Sequence, residues 1–274
     1  MWFDPLLRAR NLPARDLSDL RFFEVTGALL ASDDSAGPGG AAAVRRGWEE
    51  TAAAARRLRR AGLAGYAALG IHPRRIPARG LEALLAELPG ALGRPEVAAL
   101  GAVGLSQGTP LEERVLRRQL ALARDLRLPV LLALPPGDAG RMARRTLELL
   151  QEAALEPGQA LVAGAEAGTV RAIRACGHLA GLSLEGGEAP ALDRAVKVVA
   201  ALGPEGLVLG SDAGLSGGDL LALPRAADRL ERAGLSLAVV RRVCAANAIA
   251  FLRADPEALA GRAPSGRSGR RASR

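Results

Sequence analysis

Short apolar runs alternate with longer amphipathic stretches along this chain. The first apolar run is Trp2–Asp4, and GALLAS at 27–32 reads as a second strand. Further strands are expected at 66–73, 97–105, 129–135, 159–164, 179–184 and 206–212, where the runs are short and apolar on both faces. Helical periodicity fills the intervals. One helix is expected to start near Asp16, whose carboxylate can cap it. Others are expected at 41–62, closed by Gly62, then 81–92, 111–128, 141–154, 168–177, around 190–202, and from 217 to about 253. Eight strands, each followed by a helix, predict an α/β fold of the (β/α)8 TIM-barrel type; a doubly wound open sheet is the alternative.

The chain has 274 residues, and 49% of them are apolar, enough for one large core. Aromatic residues are only 3%, so that core must be built from Ala, Leu and Val. The formal net charge is +8. Lys197 is the lone lysine, and the Arg, Ala, Gly and Pro bias reads mainly as a GC-rich coding composition. Five arginines and no acid fall in GRAPSGRSGRRASR at 261–274, so the basic excess is mostly terminal. The expected organisation is one barrel domain over 1–254 and a disordered, arginine-rich tail over 255–274. That tail could contact nucleic acid through phosphates, although no aromatic side chain interleaves it for base stacking; a solvated, solubilising end is the plainer reading. No apolar run is long enough for a membrane span, no apolar signal stretch opens the chain, and the two cysteines, Cys176 and Cys244, both fall in helical patterns. A reducing, cytoplasmic setting is expected.

Chemistry in such a barrel sits at the C-terminal ends of the strands. There the sequence places Asp4, Arg8, His72, Ser183, Glu185, Ser211 and Asp212. Only two histidines exist, and His178 precedes its strand, so it belongs on the opposite rim. These side chains form neither a nucleophilic triad nor a zinc set.

The strings FDPLLRAR (3–10), GIHP (70–73), GAVGL (101–105), LPVLLALP (128–135), LVLGSDAG (207–214) and RRVCAANAIAFL (241–252) occur in an order and spacing that resembles the TatD-related metal-dependent hydrolases. The resemblance covers about residues 1–253. It implies a (β/α)8 barrel that hydrolyses phosphoesters with divalent metal ions. In that family a His-x-His pair follows the first strand; here those positions are Leu6 and Arg8. The family's glutamate after the fourth strand is Ala102, its histidine after the fifth is Ala133, and its histidine after the sixth falls near Gly164. The aspartate after the eighth strand is retained as Asp212, and so is the GIHP histidine, His72, which is not a principal ligand in the family.

Alkyl groups donate no lone pair, and Arg8 carries a permanent positive charge that repels a divalent cation. No cofactor is therefore expected, and the metal-bound hydroxide of the family is expected to be missing. The leading expectation is a catalytically degenerate TatD-like barrel with a binding or accessory role toward a small anionic ligand or a protein partner. The alternative is a hydrolase with altered, metal-independent chemistry on a small anionic or phosphoester substrate, using Asp212 and His72 with Asp4, Arg8 and Ser211 as ligand-binding groups. A metal-dependent hydrolase with a reduced site stands third. Each candidate also has a plainer reading: Asp212 as an ion-pair partner of Arg8 or a helix cap, His72 as a hydrogen-bonded strand-end residue, Asp4 as a structural carboxylate, Glu185 as a loop residue.

Overall fold

The structure is a computed structural model that describes residues 1–8, 13–31, 39–135, 139–213 and 218–253. The expected tail at 255–274 lies outside them.

Eight parallel strands form one sheet in the order of the sequence: β1 (Trp2–Leu7), β2 (Val25–Ala31), β3 (Ala64–Leu69), β4 (Val97–Gly104), β5 (Val130–Ala133), β6 (Ala160–Ala163), β7 (Leu179–Ser183) and β8 (Leu207–Gly210). Helices alternate with them: α1 (Ala14–Phe22), α2 (Ala41–Arg60), α3 (Leu81–Leu92), α4 (Pro110–Asp125), α5 (Ala139–Ala153), α6 (Ala167–Ala175), α7 (Ala189–Leu202) and α8 (Ala222–Arg232). The sheet curls into a nearly closed TIM barrel, because each strand hydrogen-bonds its successor in parallel register and each crossover returns a helix to the outer face.

Two apolar clusters make the core. One lies between sheet and helices and is dominated by Leu, Val and Ala. The other fills the barrel interior with Phe3, Leu29, Ala99, Leu131, Leu161, Leu179 and Val208. Phe3 and Tyr66, with ring centroids 6.1 Å apart, are the rings that the described strands bring to this interior, and Gly27 makes room for Phe3: a Cβ there would lie 2.9 Å from the Phe3 ring.

The described residues close with α9 (Leu237–Arg241), a π-helical turn at Arg242–Ala246 and α10 (Asn247–Leu252). Ala245, Ala248, Phe251 and Leu252 join the interior cluster, so this rod closes the N-terminal end of the barrel. Asn247 fastens it there, donating to the carbonyls of Pro204 (2.8 Å) and Leu207 (2.7 Å).

Some boundaries differ from the periodicity. β1 runs to Leu7 rather than stopping at Asp4, because Leu6 and Leu7 are buried and Leu7 still pairs with Leu30 of β2. The first helix starts at Ala14 after Pro13, and Asp16 lies within its first turn rather than capping it. The stretch from 217 is interrupted near Gly234, whose φ of 85° admits the turn before Ser236 caps the next helix at Val239 N–H.

Candidate functional site at the barrel mouth

The seam between β8 and β1 carries the polar groups of the mouth. The Arg8 backbone N–H donates to the Ala213 carbonyl at 2.7 Å. The Arg8 guanidinium then turns onto Asp212, with Nε 2.6 Å from Oδ1. Both side chains are half-buried, at 24% and 30% exposure, so water screens the pair only in part. Ser183 Oγ, at the end of β7, donates to the other Asp212 oxygen at 3.2 Å. Asp212 itself sits at φ 54°, a left-handed conformation that aspartate tolerates better than most residues.

Asp4 lies deeper, 2% exposed. Its Oδ1 accepts from Leu6 N–H and from Ser211 N–H, both at 3.1 Å, and its Oδ2 accepts from Ser211 Oγ. Ser211 Oγ in turn accepts from Ala213 N–H at 3.1 Å. Burial pushes the Asp4 carboxyl above its ordinary value; the Ser211 and Leu6 donors pull it back, and the neighbouring Asp212 charge adds to the rise. Asp4 therefore joins two strand ends across the seam.

His72 is buried at the end of the segment after β3, and its Nδ1 accepts from Arg74 N–H at 3.3 Å, capping the short turn Pro73–Arg75. Its described hydrogen bond is local to that turn. Glu185 pairs with Arg194 at 2.7 Å. His178 lies at the N-terminal end of β7, on the opposite rim, where burial lowers its pKa. Cys244 is buried, which pushes its thiol up, and Cys176 is half-buried on its helix.

The positions where the family resemblance implies ligands form an apolar floor. Leu6 and Ala102 are buried within the barrel-interior cluster, and Ala133 packs against it. Leu6 rests directly on β8, since a Cβ at Gly210 would lie 2.5 Å from Leu6 Cβ. Gly164 has φ 78°. Among the described residues no three His, Cys, Asp or Glu side chains group so as to hold a metal ion. A divalent cation does not fit the positions Leu6, Arg8, Ala102, Ala133 and Asp212, because Asp212 already faces a guanidinium and Leu6, Ala102 and Ala133 offer only alkyl groups.

The sequence profile described as "TatD related DNase" matches residues 18–213. The chain belongs to the TatD-related DNase family. A protein described as an uncharacterized metal-dependent hydrolase from Methanocaldococcus jannaschii is 28% identical over 165 residues, 60% of this chain and 64% of that protein's length. The crystal structure of a TatD-like protein from Archaeoglobus fulgidus superposes with a TM-score of 0.76 at 25% identity, covering 92% of this chain and 100% of that one. A TatD homologue from Escherichia coli superposes with a TM-score of 0.61 at 20% identity, covering 95% and 96%. These likenesses agree with the eight-stranded barrel.

The structure also shows supporting residues that the strand ends alone did not reveal. Gln119, on α4, is 1% exposed; its Oε1 accepts from Ile71 N–H at 2.7 Å and its Nε2 donates to Ile71 C=O at 3.2 Å. Trp48 Nε1 donates to Gly70 C=O at 2.8 Å. Together they fix the GIHP segment. Glu112 Oε2 accepts from the backbone N–H groups of Ser106, Gln107 and Gly108, at 2.9, 3.0 and 2.9 Å, and so shapes the loop after β4. The Thr109–Glu112 spacing, a Thr-x-x-Glu string before an apolar helix, was the available signal for Glu112. Gln119 and Trp48 carry no such signal, because their partners are backbone groups on other elements.

Proposed function

We propose that this TatD-family barrel has given up metal-dependent hydrolysis and serves as a binding or accessory protein. The observation that carries the reading is the Arg8–Asp212 contact: the one retained ligand aspartate is engaged by a fixed positive charge 2.6 Å away. The apolar floor of Leu6, Ala102 and Ala133 supports it, since no lone pair there can replace the family's imidazoles and glutamate. Without a bound metal there is no water of pKa about 7 to attack a phosphoester. The alternative, a metal-independent hydrolase built on Asp212 and His72, has less support. Asp212 is occupied by Arg8 and Ser183, and His72 Nδ1 is engaged in its own turn. A small anion or a protein is the proposed partner class, and the arginine-rich tail is a second, separate contact for polyanions.

Elemental analysis of the purified full chain tests the reading, together with a phosphodiesterase assay in added Mn²⁺ or Mg²⁺. The expected result is no stoichiometric metal and no turnover above a heat-inactivated control. Stoichiometric zinc, manganese or magnesium that disappears in Asp212→Ala would overturn it, as would metal-stimulated turnover.

A further inference from the structure

The two ends of the barrel differ in what they show to solvent. Among the described residues, the large apolar side chains exposed at the N-terminal end are Met1, Phe22, Phe23, Leu126 and Leu237, whereas the mouth end exposes Leu111. Phe22 closes α1 and Phe23 follows it. Phe22 is 80% exposed and Phe23 41%, although the chain is poor in aromatic residues and buries or half-buries its others. The two rings stand edge to face, with centroids 5.1 Å apart, so they lean on each other outside the core.

Around the rings the surface is continuous and mostly basic. Glu24, the next residue, accepts from the Met1 amino group at 3.0 Å, which brings Met1 beside the pair. Arg241 acts on the Glu24 carboxylate from α9, and Leu237 lies one helical turn before it on the same face. On the other flank, Arg21 donates to the Ala61 carbonyl at 3.3 Å, next to Arg60 at the end of α2. The acids beside the rings are Asp19, 3.9 Å from Arg15, and Glu24, so the balance left by Arg21, Arg60 and Arg241 is positive. From Arg253, at this same end, the sequence continues toward 261–274, with five arginines and no acid. Arginines in last helical turns complement the helix dipoles, and that explains them without a ligand. It does not explain two exposed rings, since contiguous apolar surface rimmed by charge marks an interaction site.

We propose that the N-terminal end of the barrel docks on an anionic lipid surface, with Phe22 and Phe23 entering the headgroup layer and Arg21, Arg60, Arg241 and the terminal arginines facing the phosphates. Apolar side chains and cations on one face are the two contributions that hold a protein on such a surface. The contact is peripheral: no helix among the described residues is long and apolar enough to cross a membrane. Lipid suits the patch better than nucleic acid, because nucleobases stack on ring faces and gain little from Met1 and Leu237. Docking in this way leaves the mouth, with Arg8 and Asp212, pointing away from the lipid. The proposal is independent of the reading of that mouth and takes up the polyanion contact proposed for the tail; the experiment separates the two.

The test is co-sedimentation of the full chain with vesicles of phosphatidylcholine alone and of phosphatidylcholine mixed with phosphatidylserine. Binding is expected to the mixed vesicles only, and to weaken as salt rises. The double variant Phe22→Ser with Phe23→Ser is expected to bind about tenfold more weakly, with its urea midpoint unchanged because both rings are exposed. Arg21→Glu, on the same flank, is expected to weaken binding as well and reads the patch without touching the rings. Replacing the five terminal arginines by Gln is expected to weaken binding while leaving its dependence on the two rings. No sedimentation with mixed vesicles would overturn the proposal. So would equal binding by the double variant or by Arg21→Glu, which would confine the contact to the tail. Two other outcomes would also overturn it: a double variant that loses affinity for a single-stranded oligonucleotide but not for vesicles, or one that loses a dimer seen by analytical ultracentrifugation in a chain that ignores vesicles.

Discussion

Arg8 Nε stands 2.6 Å from Asp212 Oδ1 across 204 residues of sequence, at the seam where the last strand of the barrel meets the first. The pair ties together two strand ends, and removing either partner takes a charge-assisted hydrogen bond from the other, half-buried one. Arg8→Ala is therefore expected to lower stability by about 1–2 kcal/mol, more than an exposed pair yields. Urea denaturation reads this as a lower midpoint, and an unchanged midpoint would contradict it. Asp212→Asn, which keeps an acceptor and tolerates φ 54°, is expected to cost less than Asp212→Ala.

Asp4 has the opposite relation to pH from a salt-bridged carboxylate. Its pKa in the fold lies above the ordinary 3.8, so the folded state holds its proton more tightly than the unfolded chain. Its contribution is most favourable below 3.8 and is lost as pH rises through the folded value. The stability of Asp4→Asn relative to the parent is expected to improve with rising pH over that window. Carboxyl-carbon NMR should find the Asp4 midpoint above 3.8; a midpoint below it would refute the assignment. Glu113 behaves in the reverse sense: its two-point contact with Arg145 lowers its pKa, and that contribution fades as pH falls through the folded value.

Gln119 replaces a strand partner for Ile71. Gln119→Ala leaves a buried N–H and C=O without partners and opens a cavity, at a cost of about 3 kcal/mol. Hydrogen exchange at Ile71 is expected to accelerate in this variant more than exchange in β6, which Gln119 does not touch in the described bonding. Uniform acceleration across the barrel would argue against a local positioning role.

Leu6 separates packing from ligation. Leu6→Ala removes buried apolar surface over Gly210 and is expected to cost about 2–4 kcal/mol by thermal or chemical denaturation. Leu6→His, the family's residue, is expected to destabilise as well and to bind no metal by itself, because the floor around it offers an imidazole no hydrogen-bond partner from Ala102 or Ala133 side chains. Stoichiometric metal in Leu6→His would show that the site is a single substitution from competence.

The alternation of apolar runs with helical periods was sufficient to read the barrel, because a strand buried on both faces and a helix with one apolar stripe leave local, periodic marks on the sequence. That Leu6, Arg8, Ala102 and Ala133 stand at expected ligand positions is an implication of the family resemblance, not of periodicity; each sits close to a strand end. Composition also set the interior, since a chain so poor in aromatic residues must fill its barrel with small aliphatic groups. Partner choice left no such mark. That Arg8 takes Asp212 while Asp4 takes Ser211, that Gln119 serves Ile71, and that Arg174 reaches the carbonyls of Leu202 and Gly203 are facts of long-range geometry. They depend on how the barrel curls its first strand against its last and lays its final helix beneath. A linear pattern names the residues that arrive at a strand end, but only the closed fold decides which of them come within hydrogen-bond distance.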